Sequence, residues 1–495
     1  MKYITFSCRA PRAAARLRRY TARRKMKLAL KSETVKMSII KTAHLYKGKE
    51  KMATTAQKVY FLFAVLISAF VIIFLPEFGN FSANASQETL QPETNDLLIQ
   101  PSALITFTPS FTNFLPIVVK PPAAPSVSVV SSSAYDNGYG DLYVVGEIIN
   151  NTSDNVTFVR VTATLHNSGG DVLRSDYSYV LIDVLAPGQK APFKIYFSDY
   201  PTEYTTYQLL VTYSTTIESA KSDVSVLSSS TWASGVGSLY TAGEVRNNTG
   251  GSIEFVKVVV TYYDAAGTVT NVDYTYTDID ILGPGQKGPF KIFADDRPYN
   301  TYTFSVDYRT TMDLPPSGTS VTNLDIWTEF GSTRFTGEVQ NDSSSNIRFV
   351  KVIATFYDNA GTVADVSSTY LPAEILGSSQ KGCFKLYATD RPYNSYALVN
   401  DFSVTTGPLP SLEVLSITPS GDLHLAGQIR NNHATETYNF VKAVGTLYDG
   451  AGKVLNCESS YTSPSEIGPG EVAPYDINFH SHTSGWASYS VIATD

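Results

Sequence analysis

The sequence predicts an all-β protein, with four tandem antiparallel modules following an N-terminal hydrophobic helix and a linker. Three observations carry that expectation: a long-period internal repeat, strict in–out alternation inside each copy, and glycine-bearing turns at fixed places. The repeat is clearest from Gly243 to Phe293. It opens with Gly243-Glu244-Val245-Arg246-Asn247-Asn248, passes through Phe255-Val256-Lys257-Val258 and Tyr262-Tyr263-Asp264-Ala265-Ala266-Gly267, and closes with Leu282-Gly283-Pro284-Gly285 and Phe290-Lys291-Ile292. Gly146-Glu147, Gly243-Glu244, Gly337-Glu338 and Gly427-Gln428 start the four copies. Their spacings are 97, 94 and 90 residues, a period that suits tandem domains rather than a solenoid of small units.

The third strand of each copy alternates apolar and polar residues. Val159, Val161, Ala163 and Leu165 interleave with Arg160, Thr162, Thr164 and His166. Copies two and three repeat this with Val256, Val258, Val260 and Tyr262, then Val350, Val352, Ala354 and Phe356. Period two means one packed face and one wet face, and it excludes a strand buried on both sides. The preceding strand puts Leu239, Thr241, Gly243 and Val245 on one face, with the glycine leaving room for a ring from the facing sheet. Asn150-Asn151, Asn247-Asn248 and Asn431-Asn432 suit turns in which the amide bonds nearby backbone. Asp264-Ala265-Ala266-Gly267 and Asp449-Gly450-Ala451-Gly452 read as hairpin turns.

A Pro-Gly corner follows at Pro187-Gly188, Pro284-Gly285 and Pro469-Gly470; Ser378-Ser379 replaces it in copy three and predicts a looser corner. The next strand sends Phe193 and Ile195, or Phe290 and Ile292, inward, with Lys194 and Tyr196 outward. The last strand of copy two lines up Tyr302, Phe304, Val306 and Tyr308. With a lead-in strand near Asp223–Ser229, each copy holds six or seven strands. That count at regular turn spacing predicts a two-sheet antiparallel sandwich, immunoglobulin-like in architecture but lacking that family's Cys…Trp…Cys core. The expected modules are 126–218, 219–314, 315–408 and 409–495. Their short Pro- and Ser-bearing joints predict a semi-rigid rod.

The N-terminal quarter differs. Residues 1–58 hold 17 Lys and Arg against 2 Glu, whereas the other 437 residues hold 21 basic and 43 acidic ones. The repeat region therefore repels phosphate backbones, and no nucleic-acid partner is expected. The basic leader, including the run Arg12–Lys27, reads as a solvated, disordered segment. Val59 to Leu75 is uncharged and fits a transmembrane or signal helix near the short limit for a span. Its basic flank predicts that the following residues face outward. Initiation at Met52 would leave a signal peptide, with Ala83-Asn84-Ala85 suited to cleavage; an uncleaved segment would instead partner the membrane. Residues 76–125 are rich in Pro, Thr, Ser and Asn and read as a flexible linker, extended at Pro121-Pro122 and Pro125.

On these motifs the copies resemble the FxLYD family of extracytoplasmic domains. Tyr263-Asp264, Tyr357-Asp358 and Leu447-Tyr448-Asp449 match its Tyr-Asp element, and the Gly-x-Val/Ile-x-Asn opening and Pro-Gly corner are similar. The leading Phe of the motif is replaced by Val260, Ala354 and Gly445, and copy one carries Leu165-His166-Asn167. The resemblance spans about residues 126–495. It implies a β-sandwich without catalytic activity and transfers no site residues.

No catalytic, cofactor or metal residue is therefore assigned. No Gly-x-Ser-x-Gly elbow, His-Glu-x-x-His helix or phosphate-cradling loop occurs. His480 and His482, two apart on an expected strand, would share an outer face, but two imidazoles fall short of a usual zinc set. Asp278/Asp280, Asp295-Asp296 and the loop Asp136–Asp141 are too few oxygens for calcium. Of the three cysteines, Cys8, Cys383 and Cys457, the last two lie in different copies, so no bridge between them is expected and Cys383 reads as a small buried thiol. Outward tyrosines, including Tyr177, Tyr196, Tyr274 and Tyr387, could stack sugars or anchor a protein. The function expected is a membrane-anchored or secreted, non-enzymatic rod for adhesion or protein contact, with cell-wall polysaccharide binding as the alternative.

Overall fold

The computed structural model describes residues 126–495, apart from Phe330, Asp422 and Leu423. The leader, the hydrophobic segment 59–75 and the linker 76–125 lie outside the described residues. Those described fall in one compact unit, Ile117–Asp495. Among them there are 27 strands and no helix long and apolar enough to cross a membrane.

Copy one contains β1 (Val127–Asp136), β2 (Leu142–Asn150), β3 (Asn155–His166), β4 (Val172–Tyr179), β5 (Val184–Leu185), β6 (Lys190–Phe197) and β7 (Thr206–Thr216). Copy two contains β8 (Val224–Ala233), β9 (Ser238–Asn247), β10 (Ser252–Tyr263), β11 (Val269–Tyr276), β12 (Ile281–Leu282), β13 (Lys287–Asp295) and β14 (Thr301–Thr311). Copy three contains β15 (Thr319–Glu329), β16 (Ser332–Asn341), β17 (Asn346–Tyr357), β18 (Val363–Tyr370), β19 (Ile375–Leu376), β20 (Lys381–Tyr387) and β21 (Ser395–Thr405). Copy four contains β22 (Leu412–Ser420), β23 (His424–Asn431), β24 (Lys442–Tyr448), β25 (Val454–Tyr461), β26 (Val472–Asn478) and β27 (Ser488–Thr494). In copy one β1-β2-β6 make a three-stranded antiparallel sheet, while β3 lies between β7 and the pair β4 and β5. Copies two and three repeat this plan. In copy four a single Tyr438–Ile467 bridge takes the place of the two-residue strand.

The alternation works as expected on the inner face. Val159, Val161, Ala163 and Leu165 are buried, as are Phe193 and Ile195. The expected wet face is different. Val259, Thr261, Ile353, Thr355, Val444 and Thr446 point away from their own core and are nonetheless buried. Val259, Val269 and Val272 of copy two belong to the hydrophobic cluster of copy one, and Ile353, Val363 and Val366 of copy three belong to that of copy two. A neighbouring module covers what a lone module would leave in water.

The opening glycine does admit a ring, but from the adjacent strand rather than the facing sheet. Gly243 pairs with Phe290 across β9 and β13, and a Cβ on the glycine would stand 2.4 Å from the phenylalanine Cζ. Phe193, Phe384 and Tyr475 would stand 2.5, 2.9 and 2.5 Å from a Cβ on Gly146, Gly337 and Gly427. The asparagine after the strand is a buried pin as well as a turn former. Asn247 Nδ2 donates to the Gly251 carbonyl at 2.9 Å and to that of Leu282 at 2.8 Å, while Oδ1 accepts from the Thr249 amide. Asn150, Asn341 and Asn431 make the corresponding bonds. Each ties the strand end to the start of the corner, 35 or 36 residues on.

Copy three does not have a looser corner. Ser379 takes φ 63°, close to the 77°, 75° and 74° of Gly188, Gly285 and Gly470. It keeps the same backbone bond, from its amide to the Asn341 carbonyl at 2.8 Å. Ser378 Oγ adds a bond to the Ser343 carbonyl. The turn is enforced from outside, and the serine backbone absorbs the strain. Ser379→Gly should therefore raise stability by roughly 0.5–1 kcal/mol. Calorimetric melting would check it; a lower melting temperature would show that the serine is not strained there.

Candidate functional site

The junctions between modules are where polar side chains converge. At each, the fourth strand of one module lies on the three-stranded sheet of the module before it: β11 on β1, β2 and β6, β18 on β8, β9 and β13, and β25 on β15, β16 and β20. Hydroxyls of the earlier module satisfy that strand's backbone. Ser133 Oγ donates to the Val269 carbonyl at 2.6 Å, Ser230 Oγ to that of Ala364 at 3.1 Å, and Thr336 Oγ1 to that of Val454 at 2.7 Å.

A tyrosine–glutamate bond anchors each junction. Tyr263 Oη donates to Glu147 Oε1 at 2.8 Å, Tyr357 to Glu244 at 2.8 Å and Tyr448 to Glu338 at 2.6 Å. The glutamate is the second residue of each Gly-Glu opening, and the tyrosine begins each Tyr-Asp pair. All three glutamates are buried. Their other oxygen meets a lysine of the same module: Lys190 at 2.9 Å, Lys287 at 2.7 Å and Lys381 at 3.5 Å. Burial, followed by the hydrogen bond to the glutamate, pushes Tyr263 and Tyr448 up to about 12 and raises Tyr357 as well. Each phenol therefore stays a neutral donor, and the carboxylate takes its charge balance from lysine. The departures fall at the outer copies. His166 replaces the tyrosine in copy one, and an exposed Gln428 replaces the glutamate in copy four. A buried carboxylate is costly without a donor, so the glutamate occurs only where a tyrosine meets it.

Further contacts reinforce the junctions. Lys194–Asp273, Lys291–Asp365 and Lys385–Glu458 are ion pairs at 2.9, 2.8 and 2.9 Å. Acids weighed as calcium ligands hold modules together instead. Asp295 accepts from Tyr135 at 3.1 Å, and Asp278 accepts from Ser368 at 3.1 Å. Asp280 donates its amide to Asp401 Oδ2 at 3.3 Å. Asp136, in the remaining candidate loop, accepts from Tyr200. Among the described residues no group of three or more His, Cys, Asp or Glu is placed to hold a metal.

Cys383 and Cys457 are joined by a disulfide that links copies three and four. The bridge that the sequence did not lead one to expect forms across two modules because β25 lies on β20 and brings the two sulfurs together. Cys383 is thus no free thiol. The copy-four histidines also stand differently. His480 and His482 follow β26 in a loop rather than sharing a strand face. His482, at φ 52°, turns to copy three, stacks on Trp327 at 4.4 Å and meets Asp325 at 3.0 Å. His424 pairs with Asp476, and His433 with Glu436. Tyr177, Tyr196, Tyr274 and Tyr387 are exposed, as expected; Arg160 covers Tyr177 and Arg334 covers Tyr387.

No family model matches the chain, and no curated protein matches it either. Among solved structures, the native conformation of E. coli alpha-2-macroglobulin aligns over 74% of this chain and 28% of its own, with 9% identity and a TM-score of 0.11. At that score the likeness supports no inference.

Two outcomes follow from the junction geometry. Tyr357→Phe strands the Glu244 carboxylate and should cost about 1.5–3 kcal/mol, read as a lowered urea midpoint; an unchanged midpoint would mean that water replaces the phenol freely. Asp401 is raised to about 6, by burial first and the Asp280 charge next. A raised carboxylic acid contributes stability below its unfolded value, near 4, that is lost as pH climbs through 6. Asp401→Asn should remove that dependence, gaining on the order of 2 kcal/mol over wild type at pH 7 relative to pH 4. Parallel melting curves across that range would be superimposable if the acid were not buried against Asp280.

Proposed function

We propose that this chain is a non-enzymatic extracytoplasmic protein that presents a rod of four immunoglobulin-like modules for adhesion or protein contact. In this reading it is secreted, or held to the membrane by residues 59–75, and it belongs with the FxLYD-type domains its motifs resemble. The observation that carries the reading is the recurrence of one tyrosine–glutamate bond at three junctions. Such bonds oppose bending between modules, which favours reach over catalysis, where a cleft would be needed. The disulfide between copies three and four supports an oxidising compartment. The alternative is cell-wall polysaccharide binding through outward tyrosines, favoured by the exposure of Tyr177, Tyr196, Tyr274 and Tyr387.

Cell fractionation with thiol alkylation tests the proposal. The chain should appear in the membrane or medium fraction with Cys383 and Cys457 oxidised. Recovery from the cytosol with both thiols free would sink it.

A further inference from the structure

One residue in each module is held in a conformation its side chain disfavours, and the fold draws no packing benefit from it. Phe158, Phe255, Phe349 and Phe440 have φ of 49°, 49°, 53° and 57°. In the first three copies each sits in a β-bulge, where the pairing slips between Thr157 and Arg160, Glu254 and Lys257, or Arg348 and Lys351. Glycine is the usual residue at a left-handed bulge position, and an aromatic there costs roughly 1 kcal/mol or more. Burial does not offset that cost, because the four residues are 72%, 55%, 51% and 69% exposed.

The neighbouring strand carries a second exposed ring near each of these phenylalanines. Tyr179, Tyr276, Tyr370 and Tyr461 pair in register with Arg160, Lys257, Lys351 and Lys442, the residues two beyond the phenylalanines. Cations border these rings: Arg309 lies 5.5 Å from the Phe255 centroid and Arg348 4.9 Å from that of Phe349, while Lys351 and Lys442 each lie 5.8 Å from Tyr370 and Tyr461. At the first junction the patch deepens into a hollow of about 230 Å³, lined by Phe255, Tyr276, Lys257 and Arg309 with Asp183 and Asp307.

We propose that this repeated phenylalanine–tyrosine platform binds an uncharged polysaccharide, one stretch of sugar per module. Flat exposed rings offer stacking faces for the C–H side of a pyranose, and acids beside bases offer acceptors and donors for its hydroxyls. A polyanion would meet the excess acidic charge of the repeat region. β3, β10 and β17, which carry the phenylalanines of the first three copies, are paired on both sides and cannot themselves take an added peptide strand. Four weak sites on one chain gain by multivalency. The assignment rests on the polysaccharide-binding alternative above, and it names the contacting rings and narrows the ligand to an uncharged polymer.

Native gel electrophoresis of the whole chain through hydroxyethyl cellulose, amylopectin, galactomannan or laminarin tests it. At least one polymer should retard the protein. Asparagine tolerates positive φ, so replacing all four phenylalanines by Asn should keep the melting temperature and weaken the apparent affinity at least tenfold. Tyr276→Ser with Tyr370→Ser should weaken it at least threefold. Mobility unaffected by every polymer, or equal retardation of the quadruple variant, overturns the proposal. A quadruple variant that cannot fold overturns it too, by making the rings structural. A chain found outside the cell yet retarded by none of the gels would end this proposal while leaving the structural role standing.

Discussion

A phenol donating to a buried carboxylate of the previous module is the contact on which the rest of the described structure depends. The glutamate is buried and the tyrosine half-buried, so a carboxylate that loses the phenol has little water at hand to replace it. Lysine supplies the counter-charge from the other side, and the glutamate has its phenol donor only while two modules are in place. This makes the module pair, rather than the module, the unit that is electrostatically complete.

The same junction explains features that would otherwise look like loose ends. The buried outward valines and threonines of the third and fourth strands are covered by the neighbour. The acids near the junctions accept amides and hydroxyls across the boundary. The disulfide falls where β20 and β25 already touch. At that last junction a stacked histidine and tryptophan add a further contact, and copy four departs most from the shared plan, lacking the two-residue strand of the others.

Two kinds of backbone strain can be separated. At Ser379 the positive φ completes a turn that glycine makes elsewhere, and its hydrogen bonds account for it. At Phe158, Phe255, Phe349 and Phe440 the conformation turns a large ring into solvent. Strain that serves packing belongs to the fold; strain that exposes an aromatic in every copy points toward recognition.

The sequence by itself determined the all-β class, the four copies, the turn chemistry and the inner face of each strand, because period-two alternation and glycine placement act within a few residues. It also held the mark of the junction, since tyrosine is missing from copy one and glutamate from copy four, His166 and Gln428 standing instead. What that mark meant needed the tertiary structure. Glu147 and Tyr263 are 116 residues apart, and Cys383 and Cys457 are 74 apart. Only the docking of one module's edge strand on another's sheet decides that the second face is dry and that the cysteines meet. Periodicity says which residues share a face; it is silent about which neighbour covers that face.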